Sequence, residues 1–93
     1  MPEERFFVYI LQSMKDFSFY IGQTNDLDSR LSQHNDGMSK YSASKRPWKL
    51  VYFEMLPDRS AAIFREKQLK SWKNRNRYNS LIIKRTFFME DSG

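Results

Sequence analysis

Five side chains in this sequence stand where their neighbours predict something plainer: Tyr9, Tyr20, Arg30, His34 and Glu66. Their types are those that handle charge and protons. A guanidinium offers a fixed fork of donors to an oxyanion. A carboxylate holds a hard divalent cation. A phenol or an imidazole can carry a proton during a reaction. Taken one at a time, each has an ordinary explanation. Tyrosines on strands fill cores, and Glu66 followed four residues later by Lys70 reads as a helix-surface ion pair. What matters is whether the chain brings all five to one place.

The two tyrosines lie on a hairpin. Phe6 to Leu11 is an unbroken aromatic and branched run, too short for a helix, and it reads as a strand covered on both faces, about Phe6 to Gln12. A second strand is expected from about Ser18 to Gln23, with Met14-Lys15-Asp16-Phe17 as the turn. A turn at Lys15-Asp16 sets Leu11 opposite Tyr20 and Tyr9 opposite Gly22. Tyr9 and Tyr20 then share a face as diagonal neighbours. Gly22 leaves a gap beside Tyr9 for close approach.

Arg30 and His34 belong to the next element. Thr24-Asn25-Asp26 offers helix caps, and a helix is expected to run to about Asn35, stopped by Gly37. Leu27, Arg30, Leu31 and His34 form an i, i+3, i+4, i+7 set. An ordinary amphipathic helix would have apolar residues where Arg30 and His34 stand. Met38 to Pro47 is a polar loop with Lys40, Lys45 and Arg46. Trp48 to Met55 reads as a third strand, and Asp58 as the cap of a helix from about Arg59 to Lys73. Ala62, Leu69 and Trp72 mark its core stripe, and Glu66 projects on the same side. A last short helix is expected from about Arg75 to Lys84. The apolar Phe87-Phe88-Met89 is expected to tuck back, and Glu90 to Gly93 to be disordered.

Composition sets the frame. The chain of 93 residues is one domain, with a core over about residues 6–84 and flexible termini. It has no cysteine, hence no disulfide framework or thiolate metal site. No apolar run reaches membrane-span length and no signal-peptide pattern opens the chain, so a cytoplasmic monomer is the expectation. The net charge of +5 favours an anionic partner, nucleic acid first. Lys67, Lys70, Lys73 and Arg75 cluster in a run where only Glu66 opposes, which suits phosphate tracking as well as a solvated face.

Here the sequence resembles a known family. Phe7-Val8-Tyr9 and Tyr20-Ile21-Gly22, followed by Arg30, His34 and Glu66 in order, look like the motifs of the GIY-YIG nuclease superfamily. Arg46-Pro47-Trp48-Lys49-Leu50-Val51-Tyr52 and Arg65-Glu66-Lys67-Gln68-Leu69-Lys70 are similar to its small stand-alone group. That group resembles the nuclease domain of the bacterial excision-repair incision subunit, which suggests a link to DNA repair. The resemblance implies an α+β fold, a three-stranded antiparallel sheet flanked by helices in the order β-β-α-β-α-α. It implies endonucleolytic hydrolysis of DNA, branched or damaged DNA included, with one Mg²⁺ or Mn²⁺ ion.

On that resemblance Tyr9, Tyr20, Arg30, His34 and Glu66 form the catalytic set, and Glu66 is the metal ligand. Arg30 stabilises phosphoryl charge, and Tyr9 is the candidate base with Tyr20 or His34 assisting. The nucleic-acid contacts fall to Lys40, Lys45, Arg46, Lys67, Lys70, Lys73 and Arg75. Two positions depart from the family pattern. Phe7 replaces the first glycine, and Gln23 replaces a frequent lysine whose phosphate contact Lys40 or Lys45 could supply. Asn76 and Asn79 both remain open as a late family asparagine. The alternative is a nucleic-acid-binding domain without catalysis. A protein-interaction domain built on the apolar tail ranks last. With no appended recognition domain, target choice is expected to come from shape, from ends or branches, or from a partner protein.

Overall fold

The computed structural model describes residues 5–37 and 43–91, with residues 85–91 described by their backbone alone. Three strands form one antiparallel sheet: β1 (Phe6–Ser13), β2 (Phe19–Thr24) and β3 (Trp48–Leu56), in the order β2-β1-β3. Three helices are described: α1 (Leu27–Asn35), α2 (Arg59–Lys70) and α3 (Arg75–Asp91). The fold is the α+β arrangement that the sequence predicts.

The apolar run of β1 is explained by its central position. Val8, Tyr9, Ile10 and Leu11 are each at most 1% exposed. One face of the sheet carries Val8, Ile10, Ile21 and Tyr52 against Ala62 and Leu69 of α2 and Tyr78 of α3. The other carries Tyr9, Leu11 and Trp48 against Leu27 and Leu31 of α1. A bulge in the β1–β3 pairing lies between Ile10, opposite Tyr52, and Leu11, opposite Leu50. The skipped residue lets Leu50 and Phe53 both join the α1 side, though they are an odd number of residues apart. This is why Leu50 to Phe53 reads as a continuous apolar run. A Leu69→Ala cavity at such a site costs about 2–5 kcal/mol.

The caps fall where the sequence places them. Asp26 accepts from the Ser29 amide at 3.1 Å and Asp58 from the Ala61 amide at 2.8 Å. Gly37 follows α1 with φ of 77°, a left-handed stop. Two helix ends differ from expectation. The second helix stops at Lys70, not Lys73, because Ser71 takes the cap and its hydroxyl donates to the Gln68 carbonyl at 2.6 Å. Tyr78 claims the Leu69 carbonyl as well, so the chain turns at Trp72. The last helix continues to Asp91, well past Lys84, and so takes in Phe87-Phe88-Met89 and part of the tail expected to be disordered. How those side chains pack lies outside the described residues.

Candidate active site

The site is built on the hairpin. Tyr9 pairs with Gly22 and Leu11 with Tyr20, the register read from the sequence. The Tyr9 ring passes over Gly22, where an added Cβ would lie 2.4 Å from the phenolic oxygen. Tyr20 stacks against Tyr9 with ring centroids 6.4 Å apart and planes 26° apart. Glycine is therefore required at position 22 by its neighbour's ring, not by its own backbone.

α1 supplies the imidazole. His34 is buried at 3% exposure, on the stripe with Leu27 and Leu31. Its Nε2 lies 3.3 Å from the Tyr9 hydroxyl. The edge of the ring meets Tyr20 at 4.5 Å and Trp48 at 6.3 Å between centroids. Burial lowers the His34 pKa below its ordinary value, and the nearby Arg30 charge pushes it the same way. The ring thus stays neutral near pH 7. Among the described residues Nδ1 has no hydrogen-bond partner.

Arg30, one turn earlier, is exposed, and its Nη1 donates to Gln33 Oε1 at 3.1 Å. Its guanidinium is near enough to the Tyr9 hydroxyl to favour the ionised phenol. For the Tyr9 phenol, burial is the larger effect and raises its pKa, while Arg30 pulls it down; Tyr20 and Glu66 each add to the rise. The Tyr9 hydroxyl is thus the point at which β1, β2, α1 and α2 meet electrostatically.

Glu66 on α2 pairs with Lys70 at 3.3 Å, the helix-surface pair expected from spacing. Its side chain is 21% exposed, so the carboxylate is reachable. Among the described residues no cluster of three or more His, Cys, Asp or Glu could hold a metal ion. The donor set is one hard carboxylate. That fits Mg²⁺ or Mn²⁺ bound chiefly by water and substrate oxygens, and does not fit an all-protein cage.

The expected phosphate contacts divide. Lys67, Lys70 and Lys73 are exposed. Lys45 is engaged with Asp16 at 3.5 Å, and Arg46 donates to the Ala43 carbonyl at 2.9 Å. Arg75 bonds the Phe17 carbonyl and lies over the Phe19 ring at 4.9 Å. Lys40 lies outside the described residues. Asn76 lines a cleft of about 720 Å³ along α3 with Trp72 and Arg77, a wall that none of the five site residues joins. A smaller cleft of about 350 Å³ does adjoin the site, lined by Phe19, Tyr20, Ile21, Lys70 and Tyr78.

Two supports were not legible in the sequence. The Asn35 carboxamide accepts from the Trp48 amide at 2.6 Å and donates to the Trp48 carbonyl at 3.1 Å. It thereby ties the end of α1, next to His34, to the start of β3. Trp48, read only as a strand start, closes the pocket around Tyr20 and His34 with centroids 6.0 and 6.3 Å away. The one available signal was a carboxamide directly after His34 at a helix end.

Residues 5–79 match the sequence profile of the GIY-YIG catalytic domain. The chain belongs to the GIY-YIG family. This GIY-YIG domain is 40% identical over 86 residues to a UPF0213 protein of Clostridium perfringens, covering 91% of this chain and 90% of that one. It is 42% identical over 67 residues to a UPF0213 protein of Haloquadratum walsbyi, covering 71% and 74%. Among solved structures, the solution NMR structure of a UPF0213 protein from Bacillus halodurans matches with a TM-score of 0.52 and 33% identity, covering 84% of this chain and 82% of that one. The GIY-YIG family is a nuclease family, which implies a nucleic-acid substrate. Among the described residues no helix is long and apolar enough to cross a membrane.

Proposed function

We propose that this protein is a metal-dependent endonuclease hydrolysing DNA phosphodiester bonds, with Tyr9 as the proton acceptor. The observation that carries this reading is the Tyr9 hydroxyl, 3.3 Å from a neutral, buried His34 Nε2 and within reach of Arg30. Because burial raises its pKa, Tyr9 rests as a phenol. A phenol becomes a base only when its own proton has somewhere to go, and Nε2 of His34 provides the place. The attacking water gives a proton to the Tyr9 oxygen as the phenolic proton passes to Nε2. The resulting hydroxide attacks phosphorus. Arg30, exposed beside this oxygen, holds charge on the phosphoryl oxygens through its donor fork. Tyr20 keeps the Tyr9 ring in place by stacking. Glu66 would hold the Mg²⁺ or Mn²⁺ ion, which when bound stabilises charge on the leaving oxygen. Lys67, Lys70 and Lys73 supply phosphate contacts.

The second reading is a nucleic-acid-binding domain without catalysis. It is favoured by the Glu66–Lys70 pair, which already engages the carboxylate. Cleavage assays with and without Mg²⁺ over duplex, single-stranded, flapped and branched DNA decide between them. The nuclease reading expects cleavage that Glu66→Gln abolishes while DNA binding persists. Binding without Mg²⁺-dependent cleavage of any form supports the second reading.

A further inference from the structure

Phe17, at the tip of the β1–β2 hairpin, has φ of 63°, a conformation that bulky L-residues rarely adopt. Three hydrogen bonds hold its backbone there. Its amide donates to the Ser13 carbonyl at 2.9 Å, and its carbonyl accepts from Gln12 Nε2 at 3.2 Å and from Arg75. The ring gains little cover from this arrangement, being 56% exposed beside Met14 at 39%. Backbone held in such a sparsely populated conformation clusters at functional sites, and here it leaves an aromatic ring in solvent.

The tip is continuous with the candidate site. Arg75, which grips the Phe17 carbonyl, lies over Phe19; Phe19 and Tyr20 line the same cleft as Lys70; and Lys70 pairs with Glu66. Phe17 and Tyr20 are three residues apart, Phe17 in the turn and Tyr20 at the start of β2. The surroundings carry a net positive charge: Lys45 pairs with Asp16, leaving Lys15 and Arg75 in excess.

We infer that Phe17 is an aromatic wedge that stacks on an unpaired base of the nucleic acid held at Tyr20, giving preference for strands with an opened or unpaired segment beside the cut. This inference rests on the nucleic-acid reading above. An exposed apolar side chain offered to a base is a recurrent way to hold an unstacked strand.

The test uses Phe17→Asn and Phe17→Gly, because both residues accept a positive φ and remove the ring without straining the turn. Both variants are expected to retain the wild-type Tm or gain slightly. Affinity is measured in EDTA, so that nothing is cut, with a dye-labelled single-stranded oligonucleotide and a blunt duplex of the same sequence. The expected result is a loss of about fivefold or more on the single strand, with duplex affinity held within about twofold. Unchanged single-strand affinity in both variants overturns the wedge, and cleavage by the wild type would leave the nuclease reading standing. Conversion of a wild-type dimer to monomer by Phe17→Asn in sedimentation also overturns it, giving the ring to a second copy instead.

Discussion

The phenolic oxygen of Tyr9 lies only 2.4 Å from where a Cβ on Gly22 would be. The ring carbon bearing the hydroxyl is almost as close, at 2.6 Å. Tyr9 is fully buried and cannot swing aside freely, so a methyl group there must move the hydroxyl off His34. Gly22→Ala is expected to cost about 1–3 kcal/mol by overpacking and to reduce cleavage further than this stability loss explains. Thermal melts paired with single-turnover rates check it. Wild-type rate and Tm together would show that the hydroxyl position is unimportant.

The two tyrosines are separable from core filling because phenylalanine keeps the ring. Tyr9→Phe should lose a factor of roughly 10²–10⁴ in rate, the usual contribution of a positioned acid or base. DNA affinity should change little. Tyr20→Phe should lose less, since its stacking on Tyr9 survives. Single-turnover rates at saturating enzyme isolate the chemical step. If both variants cut at the wild-type rate, both hydroxyls leave the mechanism.

His34 gives a stability test that needs no substrate. Its folded pKa lies below the ordinary 6.5. In the window between the two values the unfolded chain binds a proton that the folded chain does not, so stability rises with pH there. The stabilisation is complete above pH 6.5 and is lost as pH falls through the folded pKa. The chain has one histidine, and the depressed Asp16 and Asp26 groups act only below their ordinary 3.8. Urea denaturation at mildly acidic and at neutral pH should therefore show a loss on acidification that His34→Gln removes. Equal slopes in the two proteins would mean that His34 titrates as an exposed group.

Short-range periodicity was enough to read part of the architecture. Alternation along two strands placed Tyr9 opposite Gly22, and a heptad-like spacing put His34 on the buried side of α1. Asp26, Asp58 and Gly37 marked helix ends through local hydrogen bonding and backbone freedom. Tertiary structure decided what depends on residues distant in the chain. The Tyr9–His34 contact spans 25 positions, and no local rule gives its 3.3 Å. α2 ends at Lys70 because of the Ser71 cap and a hydroxyl arriving from Tyr78. Lys45 and Arg75 looked like phosphate ligands by composition, yet they are engaged by Asp16 and by the Phe17 carbonyl, groups that only folding brings near. Charge and side-chain type are properties of the sequence. Which partner satisfies them is settled by packing, because the Coulomb and hydrogen-bond terms act over a few ångströms of space regardless of separation along the chain.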